Sequence, residues 1–191
     1  MSSNLKSELC APELVIKHCQ KWVESIIVRF NICPFAKAEL QQQTIDYHVV
    51  ATGSFESYVA ALMAQCQLLD TNQSISTSLV IYPDPQLDFH CYLELLSISE
   101  QVMTDAGYDG IYQLASFHPD YCFGGASDDA AANYTNRAPY PVLHLIREAQ
   151  ITQVLADFLK PEQIPHRNIE FTRRKGFDKM AEALADCYKL K

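Results

Sequence analysis

The sequence predicts an α/β protein, a single compact layered domain spanning residues 1–191 with a small, mainly parallel sheet flanked by helices. Two observations carry this expectation. Apolar residues recur at amphipathic-helix spacing over several long stretches, and short apolar runs bounded by turn residues alternate with those stretches. Strands joined through helices of this length are connected by right-handed crossovers, which makes them run parallel. Scale is the third consideration: 191 residues at 48% hydrophobic content bury one substantial core, and there is no internal repeat, low-complexity stretch or flexible linker.

The elements follow in order. Pro12 suits the first turn of a helix, and Val15, Cys19, Trp22, Ile26 and Phe30, flanked by Leu14, Val23 and Ile27, carry its apolar stripe to about Asn31. Pro34 opens a short second helix through about Gln42 and leaves Cys33 at its N-cap. Tyr47 to Ala51 reads as a strand. Gly53-Ser54 ends it, and Ser54 caps a helix with the stripe Phe55, Val59, Leu62, Cys66 and Leu69, ending around Asp70. Ser78 to Tyr82 is a buried strand, after which Asp84 and Pro85 read as the N-cap and first turn of a helix that stops at Gly107. Ile111 to Phe117 is a third strand. A polar, glycine-containing stretch then runs from Phe117 to Pro141, within which Asp128 is placed to cap a short helix through Ala132. Val142 to Ala149 reads as a helix started by the preceding prolines, with a buried strand as the alternative. Ile151 to Leu159 is helical, Ile169 to Thr172 is an edge strand, and Phe177 to Tyr188 closes the chain as an amphipathic helix.

A formal net charge of -8 and a pI near 5.1 argue against nucleic-acid or anionic-membrane partners, which need positive surface. The N-terminus has no apolar signal core and no run approaches the roughly 20 apolar residues that cross a bilayer. The seven cysteines lie singly, without CxxC or zinc-ribbon spacing, and read as reduced thiols. A cytoplasmic, soluble protein is expected.

Ligands of open parallel sheets bind outside the carboxyl ends of the strands. Those ends are Thr52-Gly53-Ser54, Pro83-Asp84 and Phe117-His118-Pro119, so the loop 117–141 is expected to hang over a site. His118 is the first candidate for general acid–base work, because histidine titrates nearest neutrality, with Asp120 or Cys33 as auxiliary groups. The competing reading is that His118 ties the loop down. Arg137 offers a planar fork for a carboxylate or phosphate, and locking the loop is an equally good use of it. Asn136, Ser54 and the Gly124-Gly125 pair complete the binding set, although two glycines lack the spacing of a phosphate-binding fingerprint. His144 and Arg147 extend it if Val142 to Ala149 is helical, since they then share a face. Cys33 at a helix N-terminus would have a lowered pKa, but burial as a small apolar residue is the favoured reading.

These residues suggest a small enzyme acting on an anionic small molecule by acid–base chemistry at the loop 117–141, with no cofactor indicated. The alternatives are a binding or adaptor domain that uses its apolar helices, and a metal protein gathering His118, Cys122, Asp120 or Asp128, and His144, whose spacing matches no standard zinc pattern. Taken together, Trp22, NICPFA from Asn31, FHPDYCFGG from Phe117 and NRAPYPVLHLIRE from Asn136 resemble a bacterial family of uncharacterised proteins, a domain of unknown function that covers nearly the whole chain. The resemblance implies one domain and brings no activity, cofactor or catalytic residue with it.

Overall fold

The computed structural model describes residues 11–150 and 161–190. Helix α1 (Pro12–Trp22) runs on into a π-helical turn at Val23–Val28, and α2 (Ala36–Gln42) precedes β1 (Ile45–Val49). Then come α3 (Phe55–Thr71), β2 (Thr77–Ile81), α4 (Phe89–Asp105), β3 (Tyr112–Phe117), a 3-10 turn at Ala131–Thr135 and β4 (Val142–Arg147). The C-terminal part holds α5 (Ile164–Lys175), α6 (Phe177–Ala185) and a last 3-10 turn, Asp186–Tyr188. The helix expected at Ile151 to Leu159 lies outside the described residues.

The fold is α/β, built on a four-stranded sheet of order β1-β2-β4-β3. β1 and β2 are parallel, and β4 lies antiparallel between β2 and β3, with His144 opposite Leu79 on one side and Ala115 on the other. The three strands foreseen in the sequence therefore share one direction. The segment favoured as a helix at Val142 to Ala149 is instead the inserted strand β4, which makes the sheet mixed. Its apolar pairs fit a helical face, but they fit equally a central strand covered on both sides, and Val142, Leu143 and Leu145 are fully buried.

Alternation then divides the side chains. Val80, Leu143, Leu145 and Tyr112 pack under α3 and α4 with Leu62, Cys66, Leu69, Tyr92 and Leu95. Leu79, Ile81 and Val142 face the other way, against Val15, Cys19, Trp22 and Ile26 of the first helix and Cys187 near the C-terminus. The result is helices, sheet, helices.

Three local expectations are corrected. Asp84 caps no helix: its carboxylate accepts from the Tyr58 hydroxyl at 2.5 Å and the Gln86 N–H at 2.9 Å, while Asp88 caps α4 by accepting from Cys91 N–H at 2.9 Å. Ile169 to Thr172 lies inside α5, which Pro165 helps to start, and the Thr172 hydroxyl bonds back to the carbonyl of Asn168 at 3.1 Å. The 3-10 turn Ala131–Thr135 has no side-chain cap from Asp128.

Candidate functional site

The loop 117–141 is folded upon itself by the residues proposed as its chemistry. His118 is only 2% exposed and its ring packs against Phe89 and Tyr92, with centroids 5.3 and 5.1 Å away. Nε2 lies 3.1 Å from the Leu87 carbonyl and must donate, so Nδ1 accepts from the Asp120 N–H at 3.0 Å. Both nitrogens are spent on backbone, and burial holds the ring below the usual histidine pKa, so it stays neutral. Asp120 contributes that N–H, and the residue is otherwise exposed. Asn136 straps the far end of the loop to β3: its carbonyl accepts from His118 N–H at 3.1 Å and its amide donates to Ser116 O at 3.2 Å. Arg137 donates from Nε to Tyr121 O at 3.1 Å and from Nη2 to Asp128 O at 2.8 Å, with its guanidinium 4.8 Å above the Tyr134 ring. Fully buried Asn133 completes the loop, donating to Ser127 O at 2.9 Å and accepting from Phe123 N–H at 3.2 Å.

The remaining candidates disperse. Ser54 caps α3 by accepting from Ser57 N–H at 3.4 Å. Arg147 points to the α3 side of the sheet, donating to Leu69 O at 2.5 Å in the last turn of α3 and to Ile75 O at 3.2 Å in the connection to β2. A side chain at Gly124 or Gly125 would meet nothing within 4 Å, so no close approach demands glycine there; Gly125 instead serves a turn with φ +77°.

Three predicted residues do share a space. On the α1 side of the sheet lies a cavity of about 450 Å³, walled by Trp22, Val23 and Ile27 from the first helix, Leu79, Ala115, Phe117 and Ile146 from the strands, and Ile169 from α5. Cys33, Asn136 and His144 line it, together with Thr77, Thr135 and Asn168. Its described lining includes no Lys or Arg, and Glu39 is the one charged residue there. The strand register explains the position of His144: it alternates with Leu143 and Leu145, so it faces the same side as Leu79 and Ala115 beside it.

Most polar groups of the cavity are satisfied internally. Asn136 Oδ1 accepts from the Thr135 hydroxyl at 2.9 Å, and Asn168 donates to Ile32 O at 2.6 Å. His144 Nε2 is 2.6 Å from Thr77 Oγ1, which is itself 2.5 Å from the Leu145 carbonyl. A carbonyl only accepts, so the single Thr77 proton goes to Leu145 and Nε2 must carry the proton of the imidazole. Nδ1 is then a lone pair for which the described residues provide no partner. Burial pushes the His144 pKa down to about 4, which keeps the ring neutral at pH 7. Thr77, the residue that sets this tautomer, was not among the sequence candidates.

Cys33 is half-buried, and the N-cap of α2 is Phe35, not Cys33 as the sequence suggests. Phe35 and Ala36 hydrogen bonds favour its thiolate, as its place before α2 suggests, but desolvation outweighs them and the pKa is raised, so the group is a thiol. Of the two readings of Cys33, the small apolar residue agrees with the raised pKa, and the lowered pKa of a helix-terminal thiol does not. Among the described residues no group of three or more His, Cys, Asp or Glu side chains is arranged to hold a metal ion. His118 and His144 lie on opposite faces of the sheet, which separates the set imagined for one.

Fold and site together define a class, an α/β protein with helices on both faces of a mixed sheet and an apolar-lined cavity against one face. Among the described residues no helix is long and apolar enough to cross a membrane. The chain belongs to the family described as Protein of unknown function (DUF1415), whose profile matches residues 14–182. No curated protein and no solved structure matches the chain.

Proposed function

We propose that the protein binds a small, largely apolar molecule in the cavity above β2, β4 and β3, and that the loop 117–141 builds a wall near this site. The observation that carries the reading is the cavity itself. Its volume of about 450 Å³ falls within the roughly 300–1,000 Å³ typical of small-molecule sites, and mostly apolar walls with a few placed polar groups are the usual composition of such sites. Acid–base work, expected at His118, finds at His144 instead a nitrogen without a partner among the described residues. A base whose conjugate acid has a pKa near 4 is weak, so accepting a hydrogen bond suits His144 better than removing a proton. Binding is therefore favoured over catalysis.

An anionic molecule is less well supported, because the described lining offers no cation and both candidate arginines are engaged elsewhere. The adaptor reading draws on exposed Leu93, Ile98, Ile111, Phe177, Tyr188 and Leu190, but these lie on α4, on a turn and at the C-terminal end, not on one element. A cytoplasmic setting fits six described cysteines that are all free.

The single tryptophan, Trp22, lines the cavity and is its own reporter. Neutral aromatic and alicyclic compounds are expected to change its emission and raise the melting temperature, and Ala115→Phe, which fills the space, is expected to abolish both effects in a protein of unchanged circular dichroism. Compounds that act equally on Ala115→Phe, or a panel with no effect at all, would remove the support for this site.

A further inference from the structure

The cavity also specifies the chemistry of its occupant, an inference that rests on the cavity being the ligand site. We infer that the ligand is an uncharged molecule of about two-ring size that presents one O–H or N–H donor to Nδ1 of His144, with the rest of its surface apolar.

Size comes first. An apolar cavity of about 150 Å³ holds one benzene, and the space here, about 450 Å³, takes a fused bicyclic skeleton with a substituent. Charge is decided by the walls. A buried anion needs a paired cation, and the described lining holds no Lys or Arg while Glu39 would repel one. His144 cannot serve as that cation near neutrality, because burial disfavours its protonated form. Polarity is decided by the chain Leu145 carbonyl, Thr77 hydroxyl, His144 imidazole. The carbonyl can only accept, so every proton in the chain points towards it and the lone pair of Nδ1 is left at the other end. A ligand that only accepts would set lone pair against lone pair; one that donates completes the chain. Thr77 also lines the cavity, but its hydroxyl proton is taken by the Leu145 carbonyl, so its hydrogen-bonding effect on the ligand is exerted through the tautomer of His144.

The test compares β-naphthol, its methyl ether, naphthalene and β-naphthoate by titration calorimetry, with imidazole nitrogen NMR of the same samples. β-Naphthol is expected to bind roughly three- to tenfold tighter than its methyl ether, the range one neutral hydrogen bond supplies, and β-naphthoate the weakest of the four. The Nδ1 resonance of His144 should move with β-naphthol and stay with naphthalene. Thr77→Val should reduce the affinity ratio of β-naphthol to its methyl ether to about one. If that variant does not fold, the native-protein NMR and the affinity order decide the matter alone. Naphthalene binding with β-naphthol no tighter than its ether, or β-naphthoate the tightest, overturns the donor inference and leaves the cavity reading standing. Failure of all four to bind overturns the cavity reading and the inference together.

Discussion

The difference between His118 and His144 is a difference of partners, and the deciding ones, Leu87 O for His118 and Thr77 for His144, are far away in sequence. His118 spends both nitrogens on Leu87 O and Asp120 N–H, whereas His144 has one nitrogen fixed by Thr77 and one for which the described residues provide no partner. In the sequence both are single histidines next to apolar residues, and His118 looked stronger because it stands at a strand end. His118→Ala is expected to destabilise the protein by about 1–3 kcal/mol, the cost of orphaning buried backbone groups, and to leave binding of apolar probes in the cavity unchanged; urea melts and Trp22 fluorescence measure the two effects. The buried histidines also give stability a direction with pH. His144 is held at about 4, and His18 and His118 are lowered too, against an unfolded value near 6.5. Between those values the unfolded chain binds more protons, so stability falls as pH drops below about 6.5, and the part due to His144 is fully lost only below about pH 4. For His144, which is half-buried, that loss is at most about 3 kcal/mol. Denaturation at pH 7 and pH 4 should show it, and His144→Leu should flatten the dependence.

At the scale of elements, helices were more legible than strand order. The stripes of α1, α3 and α4 are long enough for period 3.6 to stand out, and Ser54 and Gly107 mark ends that the structure keeps. β4 resembles a helix in sequence because a strand covered on both faces loses the alternation that identifies strands, and what remains is an apolar run compatible with a helix. The start of α4 was misplaced for another reason: Asp84 and Asp88 are both competent caps, and the choice is made by Tyr58, which draws Asp84 away. Asp88→Ala should therefore cost about 1 kcal/mol through loss of the cap, read as a lower urea midpoint at unchanged slope, together with reduced amide protection at Cys91. Retained protection at Cys91 would mean that the cap is idle. The loop 117–141 is the longest irregular connection among the described residues, as its sequence suggests, but its density of Asn, Asp and Arg serves its own closure. A loop with buried backbone must satisfy those groups internally, and Asn133, Asn136 and Arg137 do so.

Over the whole molecule, the two sides of the sheet are unequal. The α3 and α4 side is filled by Tyr58, Tyr82, Tyr92 and their aliphatic neighbours, while the α1 side leaves a cavity between strands, first helix and α5. Nothing local in a sequence announces a void, because it depends on how far apart separate elements come to rest; Trp22, Ala115 and Ile169 are ordinary core residues until the packing places them around one space. The central claim is that this space, not the loop, receives the ligand. A crystal structure grown with β-naphthol tests it most directly. Density for the ring system is expected between Leu79, Ala115 and Phe117 with its hydroxyl within hydrogen-bond distance of His144 Nδ1, whereas density beside Arg137 in the loop 117–141, with the cavity untouched, would contradict it.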